Sequence, residues 1–321
     1  MRRMSLSLLM AGAAWSLLIA ASARAQTGAS FTAINVPGAN ATGARGVNIH
    51  GEIVGWFKTS ATCSAIDLGV PTCLGPGGSF QFPFHGFTLL NKRFIRFDFP
   101  GASGTAILGV NDPGDFVGVY VKANRMHGFL RLHTGVLKTL DIAPPPLLPN
   151  GTSTAPIGVN KFGTVVGSLW SVFGEGPFGG FRWFNGHFAT ANFPGFTDDG
   201  VFGNSNTGLL ALEVFDHDFW TTGLLNGKDA DILPSPAMTD TFVTGVNSGG
   251  DIVGRFEGLG FFAPHVEANE GTTDKEVVPK YLSLKFPGAV TTVPDGISDN
   301  RIIVGSYQAS NKLHGFMAVL H

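Results

Sequence analysis

The sequence predicts an all-β protein, a six-bladed β-propeller of four-stranded antiparallel blades whose ring is closed by the N-terminal strand pairing with the last blade. Three observations carry this prediction. A twelve-residue motif occurs six times, each copy comes with further strand-like segments, and the chain has 45 glycines with only 14% charged residues. This glycine density and the many β-branched residues disfavour helices.

The repeated motif combines a tight turn with two apolar residues. Its copies are GVNIHGEIVGWF at Gly46, GVNDPGDFVGVY at Gly109, GVNKFGTVVGSL at Gly158, GNSNTGLLALEV at Gly203, GVNSGGDIVGRF at Gly245 and GISDNRIIVGSY at Gly296. Successive copies start 63, 49, 45, 42 and 51 residues apart. Spacings of this size are typical of propeller blades.

Each part of the motif has a physical interpretation. In N-x-x-G, Asn bonds its own backbone and Gly takes positive φ, which predicts a turn. The doubled apolar residues, such as Ile53-Val54, predict a strand buried on both faces. The following glycine, such as Gly55, is expected to let a neighbouring sheet approach closely. The motif is therefore predicted to form the two inner strands of a blade.

Two further segments supply the outer strands. One is HGFTLL at His85, HGFLRL at His127, GGFRWF at Gly179, WTTGLL at Trp220, GFFAPH at Gly260 and HGFMAV at His314. The other is FIRFDFPGA at Phe94, LKTLDIAPP at Leu137, FATANFPGF at Phe188, DADILPSPA at Asp229 and YLSLKFPGA at Tyr281. A Pro-Gly ending predicts a type II turn.

The two ends of the chain complement each other. A lone segment of the second kind, FTAINVPGA, starts at Phe31 ahead of the first motif, and the chain ends inside an HGF segment. A closed ring accounts for both ends, because the N-terminal strand then completes the last blade and removes an open sheet edge.

The combination of GVN-x-x-G-x-(I/V)-V-G, HGF and F-P-G-A resembles the HAF-type extracellular repeats of bacterial secreted proteins. The resemblance extends over essentially all of the chain after its N-terminal segment. It implies secretion and says little about activity. The fourth copy departs from the pattern, since it lacks both V-G and HGF.

Residues 1–25 are predicted to be a signal peptide. Arg2 and Arg3 precede an apolar run, and Ala23-Arg24-Ala25 provides a cleavage site after Ala25. Residues 26–321 then form a single domain that is secreted or periplasmic and is not an integral membrane protein. The alternative is an uncleaved N-terminal anchor.

Charge and cysteine content narrow the possible partners. The formal charge of −2 becomes about −5 when the three arginines of the signal are removed, and no basic run remains, which argues against nucleic acid. Cys63 and Cys73 are the two cysteines, and in an exported protein they are predicted to form a disulfide. A two-ligand metal site or a redox pair is the alternative.

We call the first glycine of each motif copy the leading glycine, and the set of residues at one aligned position a column. The column four positions before the leading glycine consists of oxygen-bearing residues: Thr42, Thr105, Thr154, Asp199, Thr241 and Thr292. The structural interpretation is that each oxygen caps the turn entering the inner strand. The functional interpretation is a ligand-facing ring at the axial mouth, with the inserts Lys58 to Phe84 and Ser171 to Phe178 beside it. His85, His127 and His314 occupy equivalent positions in different blades and favour packing over a shared metal.

One position before each leading glycine lie Arg45, Leu108, Ile157, Phe202, Thr244 and Asp295. A lone Arg and a lone Asp stand out in this column, and ring closure makes the first and sixth blades neighbours. Arg45 and Asp295 are therefore predicted to face each other across the seam as a partly buried ion pair. Two solvated charges at an exposed mouth are the alternative.

The functional expectation is an exported binding or surface-interaction module, a monomer whose ligand is a polysaccharide or a protein. No G-x-S-x-G, P-loop or H-E-x-x-H motif occurs, so no catalytic residue, metal or cofactor is assigned. A hydrolase or lyase at the axial mouth is the first alternative. An outer-membrane-associated β protein is the second, and it is disfavoured because doubled Ile-Val pairs do not alternate.

Overall fold

The structure is a computed structural model and describes residues 28–60, 64–67, 70–74, 80–123, 125–142, 153–170, 177–196, 199–216, 219–227, 229–233, 240–266 and 279–321. The predicted signal peptide and Cys63 lie outside these residues. The described strands form six four-stranded antiparallel sheets and one small three-stranded sheet. This confirms the all-β, six-bladed propeller. Within the described ranges, no helix has the length and apolar character needed to cross a membrane.

The N-terminal strand is β1 (Ala29–Ile34). Blade 1 and its insert contain, in chain order, β2 (Ala41–Val47), β3 (Ile53–Lys58), β4 (Ser64–Asp67), β5 (Pro71–Leu74), β6 (Phe80–Gln81), β7 (His85–Leu90) and β8 (Arg93–Phe97). Strands β2, β3, β7 and β8 form the blade, and β4, β5 and β6 form the small sheet.

Blades 2 to 4 follow in the same order, each from its inner to its outer strand. Blade 2 contains β9 (Gly104–Val110), β10 (Phe116–Lys122), β11 (Arg125–Arg131) and β12 (Leu137–Leu140). Blade 3 contains β13 (Ser153–Val159), β14 (Val165–Trp170), β15 (Pro177–Phe184) and β16 (His187–Thr190). Blade 4 contains β17 (Asp199–Asn204), β18 (Leu209–Asp216), β19 (Phe219–Asn226) and β20 (Asp229–Leu233).

Blades 5 and 6 complete the ring. Blade 5 contains β21 (Thr241–Val246), β22 (Ile252–Phe256), β23 (Leu259–Ala263) and β24 (Leu282–Leu284). Blade 6 contains β25 (Thr291–Ile297), β26 (Ile302–Ala309) and β27 (Lys312–Leu320), and its outer strand is β1.

Ring closure by the N-terminal strand is confirmed. β1 pairs antiparallel with β27, and Phe31 lies opposite Ala318. The Phe31 ring packs against Phe286 at 5.6 Å and Phe316 at 5.8 Å between ring centroids. The two ends of the chain therefore share one sheet and one apolar cluster.

Both predicted turns are present. The Asn48 side-chain oxygen accepts hydrogen bonds from the backbone N–H groups of His50 and Glu52, and Gly51 has φ of 75°. At the Pro-Gly turns, Ala39 N–H donates to the Val36 carbonyl while Gly38 has φ of 78°. Positive φ at that glycine is what a type II turn requires.

The glycine of the V-G pair has a different role from the one expected. A Cβ on Gly55 would lie 2.1 Å from the Gly43 carbonyl oxygen in the same sheet, where the register shifts between Ala44 and Gly46. Gly55 therefore accommodates a β-bulge within its own blade. The close approach between blades is made by the leading glycines, since a Cβ on Gly46 would lie 3.1 Å from the Gly109 Cα.

Deleting residues 31–37 is expected to destabilise the whole domain, because blade 6 loses its outer strand. Loss of the buried Ile34 costs about 2–5 kcal/mol and loss of the half-buried Phe31 adds to this cost, and each kcal/mol corresponds to roughly 2–4 °C in a domain of this size. The melting temperature measured by circular dichroism should fall by about 10 °C or more. Removing only residues 26 and 27 is the control, and equal melting of the two truncated proteins would refute closure by β1.

Candidate functional site

The propeller axis contains a small cavity of about 70 Å³. It is lined in all six blades by the leading glycine and the residues on either side of it. Small-molecule sites typically have about 300–1,000 Å³. The cavity has room for a few waters and none for a sugar ring.

The structure brings Arg45 and Asp295 together in this cavity. The Arg45 Nη1 lies 2.5 Å from the Asp295 Oδ1, and the two side chains are 2% and 1% exposed. The solvated alternative is therefore wrong. The pair joins blade 6 to blade 1 next to Gly296, where a Cβ would lie 2.7 Å from the Arg45 carbonyl oxygen. At this boundary between blades 6 and 1, the buried ion pair stabilises the ring in addition to the backbone packing.

The apolar half of the axis is covered by the blade 1 insert. Val70, Cys73, Phe82 and Phe84 belong to one buried cluster that also contains Trp56. Leu108, Ile157 and Phe202, which line the axial cavity, belong to the same cluster. Cys73 is fully buried in it. Because Cys63 lies outside the described residues, the disulfide stays a prediction.

The threonine column does not form an open, ligand-facing ring. Thr42, Thr105, Thr154, Thr241 and Thr292 are each at most 2% exposed. Four of their hydroxyls accept backbone N–H groups of the preceding connection, from Val36, Phe99, Ile142 and Phe286, at 2.9–3.2 Å. These threonines therefore tie the outer strand of one blade to the inner strand of the next. Asp199 is the first residue of β17, and the structure describes its backbone only.

The equivalent histidines each bond to the residue that directly follows the outer strand of their own blade. His85 Nδ1 lies 2.9 Å from Asp98, His127 Nδ1 lies 2.8 Å from Asp141, and His314 Nδ1 lies 2.8 Å from Asn35. Aromatic rings stack on two of them, Tyr120 on His127 and Tyr307 on His314. The histidines thus act separately, as strand-to-strand contacts.

A second polar group lies in blade 4 and was missed in the sequence. Glu213 is 8% exposed, Thr222 is fully buried, and the two face each other across the β18–β19 pairing. The Thr222 hydroxyl has no hydrogen-bond partner. An unsatisfied buried hydroxyl costs about 1–3 kcal/mol, so it marks a position of functional interest.

Burial raises the pKa of Glu213 from 4.5 to about 8, although the positive charges of Arg255 and Arg45 oppose the shift. Asp240 raises the pKa further. Glu213 is therefore mostly neutral at pH 7. One sequence signal could have identified it. Ten residues after the leading glycines stand Trp56, Val119, Ser168, Glu213, Arg255 and Ser306, and only blades 4 and 5 place ionisable groups there.

The six turns at the opposite end of the axis are joined by hydrogen bonds across every boundary between blades. These bonds run from Ile49 N to Asp112, Asn111 Nδ2 to the Asn160 carbonyl, Lys161 N to Asn206, Asn206 N to Ser248, Ser248 N to Asp299 and Asn300 Nδ2 to the Ile49 carbonyl. We call the surface formed by residues 48–51, 111–114, 160–163, 205–208, 247–250 and 298–301 the turn face. The bonded ring makes this surface rigid.

Polar groups meet at the centre of the turn face. The Asn206 side-chain N–H groups donate to Asp112 at 3.3 Å and to Asp299 at 3.0 Å, which connects blades 2, 4 and 6. In the same turns, Ile49 is 40% and Phe162 is 62% exposed. The turn face thus combines carboxylate and amide groups with exposed apolar side chains.

Several solved structures match the chain at low sequence identity. No family model and no curated protein matches the chain. A streptogramin B lyase structure is 13% identical with a TM-score of 0.47, and covers 91% of this chain and 98% of its own. A catalytically inactive virginiamycin B lyase from Staphylococcus aureus with quinupristin is 12% identical, with a TM-score of 0.45 and coverages of 91% and 100%. The β-propeller domain of the Trilobed protease from Pyrococcus furiosus is 9% identical, with a TM-score of 0.38 and coverages of 86% and 95%.

Arg45→Leu and Asp295→Leu should each destabilise the protein by about 3–5 kcal/mol, because each leaves one buried charge uncompensated. The double variant should be more stable than either single variant. A double-mutant cycle in urea measures the coupling energy. A coupling energy indistinguishable from zero would contradict a buried pair.

Glu213→Gln should remove a pH dependence of stability. Folded Glu213 keeps its proton up to about pH 8, whereas the unfolded chain releases it near pH 4.5, so stability falls between these values as pH rises. The slope is at most about 1.4 kcal/mol per pH unit. Melting temperatures at pH 5 and 8.5 should differ less in Glu213→Gln than in wild type. The exposed Glu257→Gln is the control, and identical profiles for all three proteins would disprove the assignment.

Proposed function

We propose that this protein is an exported propeller of the HAF-repeat type that acts as a binding module, with the turn face as its contact surface and a polysaccharide as its ligand. The observation that carries the proposal is the turn face itself. Its six turns are fixed to one another at every blade boundary, so polar and apolar groups are held in place before a ligand arrives. Such preorganisation reduces the entropy that binding costs.

The chemistry of the turn face suits a hydroxyl-rich chain. Besides the Asn206 bonds, Asp112 accepts from Ile49 N–H, and Asp299 accepts from Ser248 N–H and the Ser248 hydroxyl. The lone pairs that remain on the two carboxylates can accept hydrogen bonds from sugar hydroxyls. The Phe162 ring is exposed in the same ring of turns, with Lys161 Nζ 5.1 Å from its centre. Aromatic rings offer an apolar surface to the C–H groups of a sugar, and a few placed polar groups fix orientation.

The alternative of a hydrolase or lyase at the axial mouth requires space for a substrate at the axis. Among the described residues, the axial cavity of about 70 Å³ and the Arg45–Asp295 contact of 2.5 Å count against such a site. The proposal also retains cleavage after Ala25, secretion or a periplasmic location, a monomer and the Cys63–Cys73 disulfide.

Binding to a polysaccharide array tests the proposal. Phe162→Ala and Ile49→Ser should each weaken binding by about tenfold or more, because a central anchor of an interface carries about 2 kcal/mol. Their melting temperatures should stay close to wild type, since both side chains are exposed. Val290→Ser is the matched control, because Val290 is 72% exposed and precedes β25 at the end of the ring away from the turns.

Unchanged binding of Phe162→Ala and Ile49→Ser would exclude the turn face as the contact surface. Loss of binding in Val290→Ser would assign the contact to the opposite face. The same glycans are incubated with the protein and analysed for cleavage products, and release of products would replace the binding module by an enzyme.

A further inference from the structure

We propose that a cavity at the boundary between blades 6 and 1 is a second binding site, separate from the turn face, for a small carboxylate that also carries hydroxyl groups. The cavity is lined by residues 35–42, which connect β1 to β2, and by residues 312–314 at the start of β27. We call it the seam cavity. It lies at the end of the ring away from the turns.

The seam cavity has room for a ligand. Its volume is about 260 Å³, close to the lower end of the range of about 300–1,000 Å³ that small-molecule sites typically have. The strand pairing explains the space, because β1 pairs with β27 only as far as Ile34, which lies opposite Gly315. Val36, Ala39 and Leu313 contribute apolar surface to the walls. The cavity can therefore accommodate a single sugar ring or a smaller molecule.

A lysine covers the corresponding turn between blades 1 and 2. The first two copies of the motif start 63 residues apart, so Gly38 corresponds to Gly101 and Thr59 to Lys122. A Cβ on Gly101 would lie 3.6 Å from the Lys122 Nζ, whereas a Cβ on Gly38 would have nothing within 4 Å. The replacement of this lysine by the shorter threonine leaves the Pro-Gly turn of the seam cavity uncovered.

The seam cavity carries a positive charge and no carboxylate. Asn35 bonds to the histidine of its blade at the place where blades 1 and 2 have Asp98 and Asp141. None of the described residues that line the cavity is acidic. Lys312 is exposed, and in the described part of the chain no carboxylate forms an ion pair with it. The cavity therefore attracts an anion, whereas a cation would meet the Lys312 ammonium group.

Hydrogen bonds in the cavity wall set the pattern of donors and acceptors. His314 Nδ1 lies 2.8 Å from Asn35 Oδ1, and because an amide oxygen only accepts, the Nδ1–H donates. Asn35 thus keeps its NH₂ group as a donor, and the neutral His314 ring keeps Nε2 as an acceptor. The Asn40 NH₂ group donates to the Thr59 carbonyl, so its Oδ1 is a second acceptor. Tyr307 stacks on the His314 ring at 5.1 Å between ring centroids and holds its orientation.

Two donors and two acceptors together select a hydroxy-carboxylate. The Lys312 ammonium and the Asn35 NH₂ group can donate to the two oxygens of a carboxylate. His314 Nε2 and Asn40 Oδ1 can accept hydrogen bonds from hydroxyl groups of the same molecule. A neutral sugar would give Lys312 no charged partner, and acetate would leave both acceptors unused. A uronic acid meets both requirements.

Isothermal titration of the purified protein with glucuronate tests the site, with glucose, acetate and inorganic phosphate as further probes. Glucuronate should bind about tenfold or more tightly than glucose or acetate, because each of these lacks one of the two kinds of group, and it should also bind more tightly than phosphate. Lys312→Gln should weaken glucuronate binding by about tenfold or more, since a hydrogen bond to a charged group is lost.

Asn35→Asp tests the charge of the cavity without removing a contact. The introduced carboxylate can accept the hydrogen bond of His314 as Asp98 accepts that of His85, so the melting temperature should stay close to wild type. A carboxylate in the cavity repels an anionic ligand, and glucuronate binding should fall by about tenfold or more. If Asn35 served packing alone, binding would be unchanged.

The matched control is Lys285→Gln. Lys285 is exposed, lies eleven residues before a leading glycine as Asn35 does, and does not line the seam cavity, so this variant should bind like wild type. Phe162→Ala should also keep glucuronate binding, which separates the site from the turn face. Melting temperatures verify that each variant is folded.

Absence of glucuronate binding, equal binding of glucose or acetate, or a preference for phosphate would each overturn the proposal. Unchanged binding in Lys312→Gln or Asn35→Asp would do the same. An equal loss in Lys285→Gln would reduce the effect to the net charge of the protein and would also overturn it.

Discussion

The inner strands of neighbouring blades approach so closely at the axis that a Cβ on Gly109 would lie 2.4 Å from the Ile157 carbonyl oxygen. On Gly296 it would lie 2.7 Å from the Arg45 carbonyl oxygen. Only glycine permits this contact, and several other features follow from it. The axis is narrow, the residues beside each glycine face one another, and the two that carry charge at the seam must pair. The same close approach brings the six turns within hydrogen-bonding distance of one another.

Much of the fold could be predicted from the sequence because the copies of the repeat meet the same physical requirements with the same residue types. Gly51 and Gly38 occupy turns that need positive φ, and both were identifiable from Asn or Pro nearby. The seam pair was also accessible, because a lone Arg45 and a lone Asp295 differ from the rest of their column. The role of Gly55 could not be predicted from the sequence, since a β-bulge depends on the pairing register rather than on composition.

The threonine column shows the limit of this reasoning. A hydroxyl at a fixed place in every repeat has the same sequence signature whether it faces a ligand or a backbone N–H. For Thr105 the partner is the backbone, because its hydroxyl accepts a hydrogen bond from the Phe99 N–H at 2.9 Å. A column repeated in every blade usually serves what all blades share, which is their packing. A residue that breaks a column is therefore the better indicator of a site.

Blade 4 breaks the most columns. It has Leu212 where the other blades have the glycine of the V-G pair, Glu213 where blade 1 has the fully buried Trp56, and Thr222 near the place of the HGF segment. Each change alone is a tolerable departure from the repeat. Together they put an acid and an unpartnered hydroxyl opposite each other inside a blade whose other core positions, such as Leu210 and Leu224, remain apolar. Natural sequences depart from the locally favourable choice mainly at functional or strained positions. Because blade 4 keeps its strand pairing and its turn, with Asn206 bonded to the neighbouring turns, it can carry these costly groups without loss of the fold.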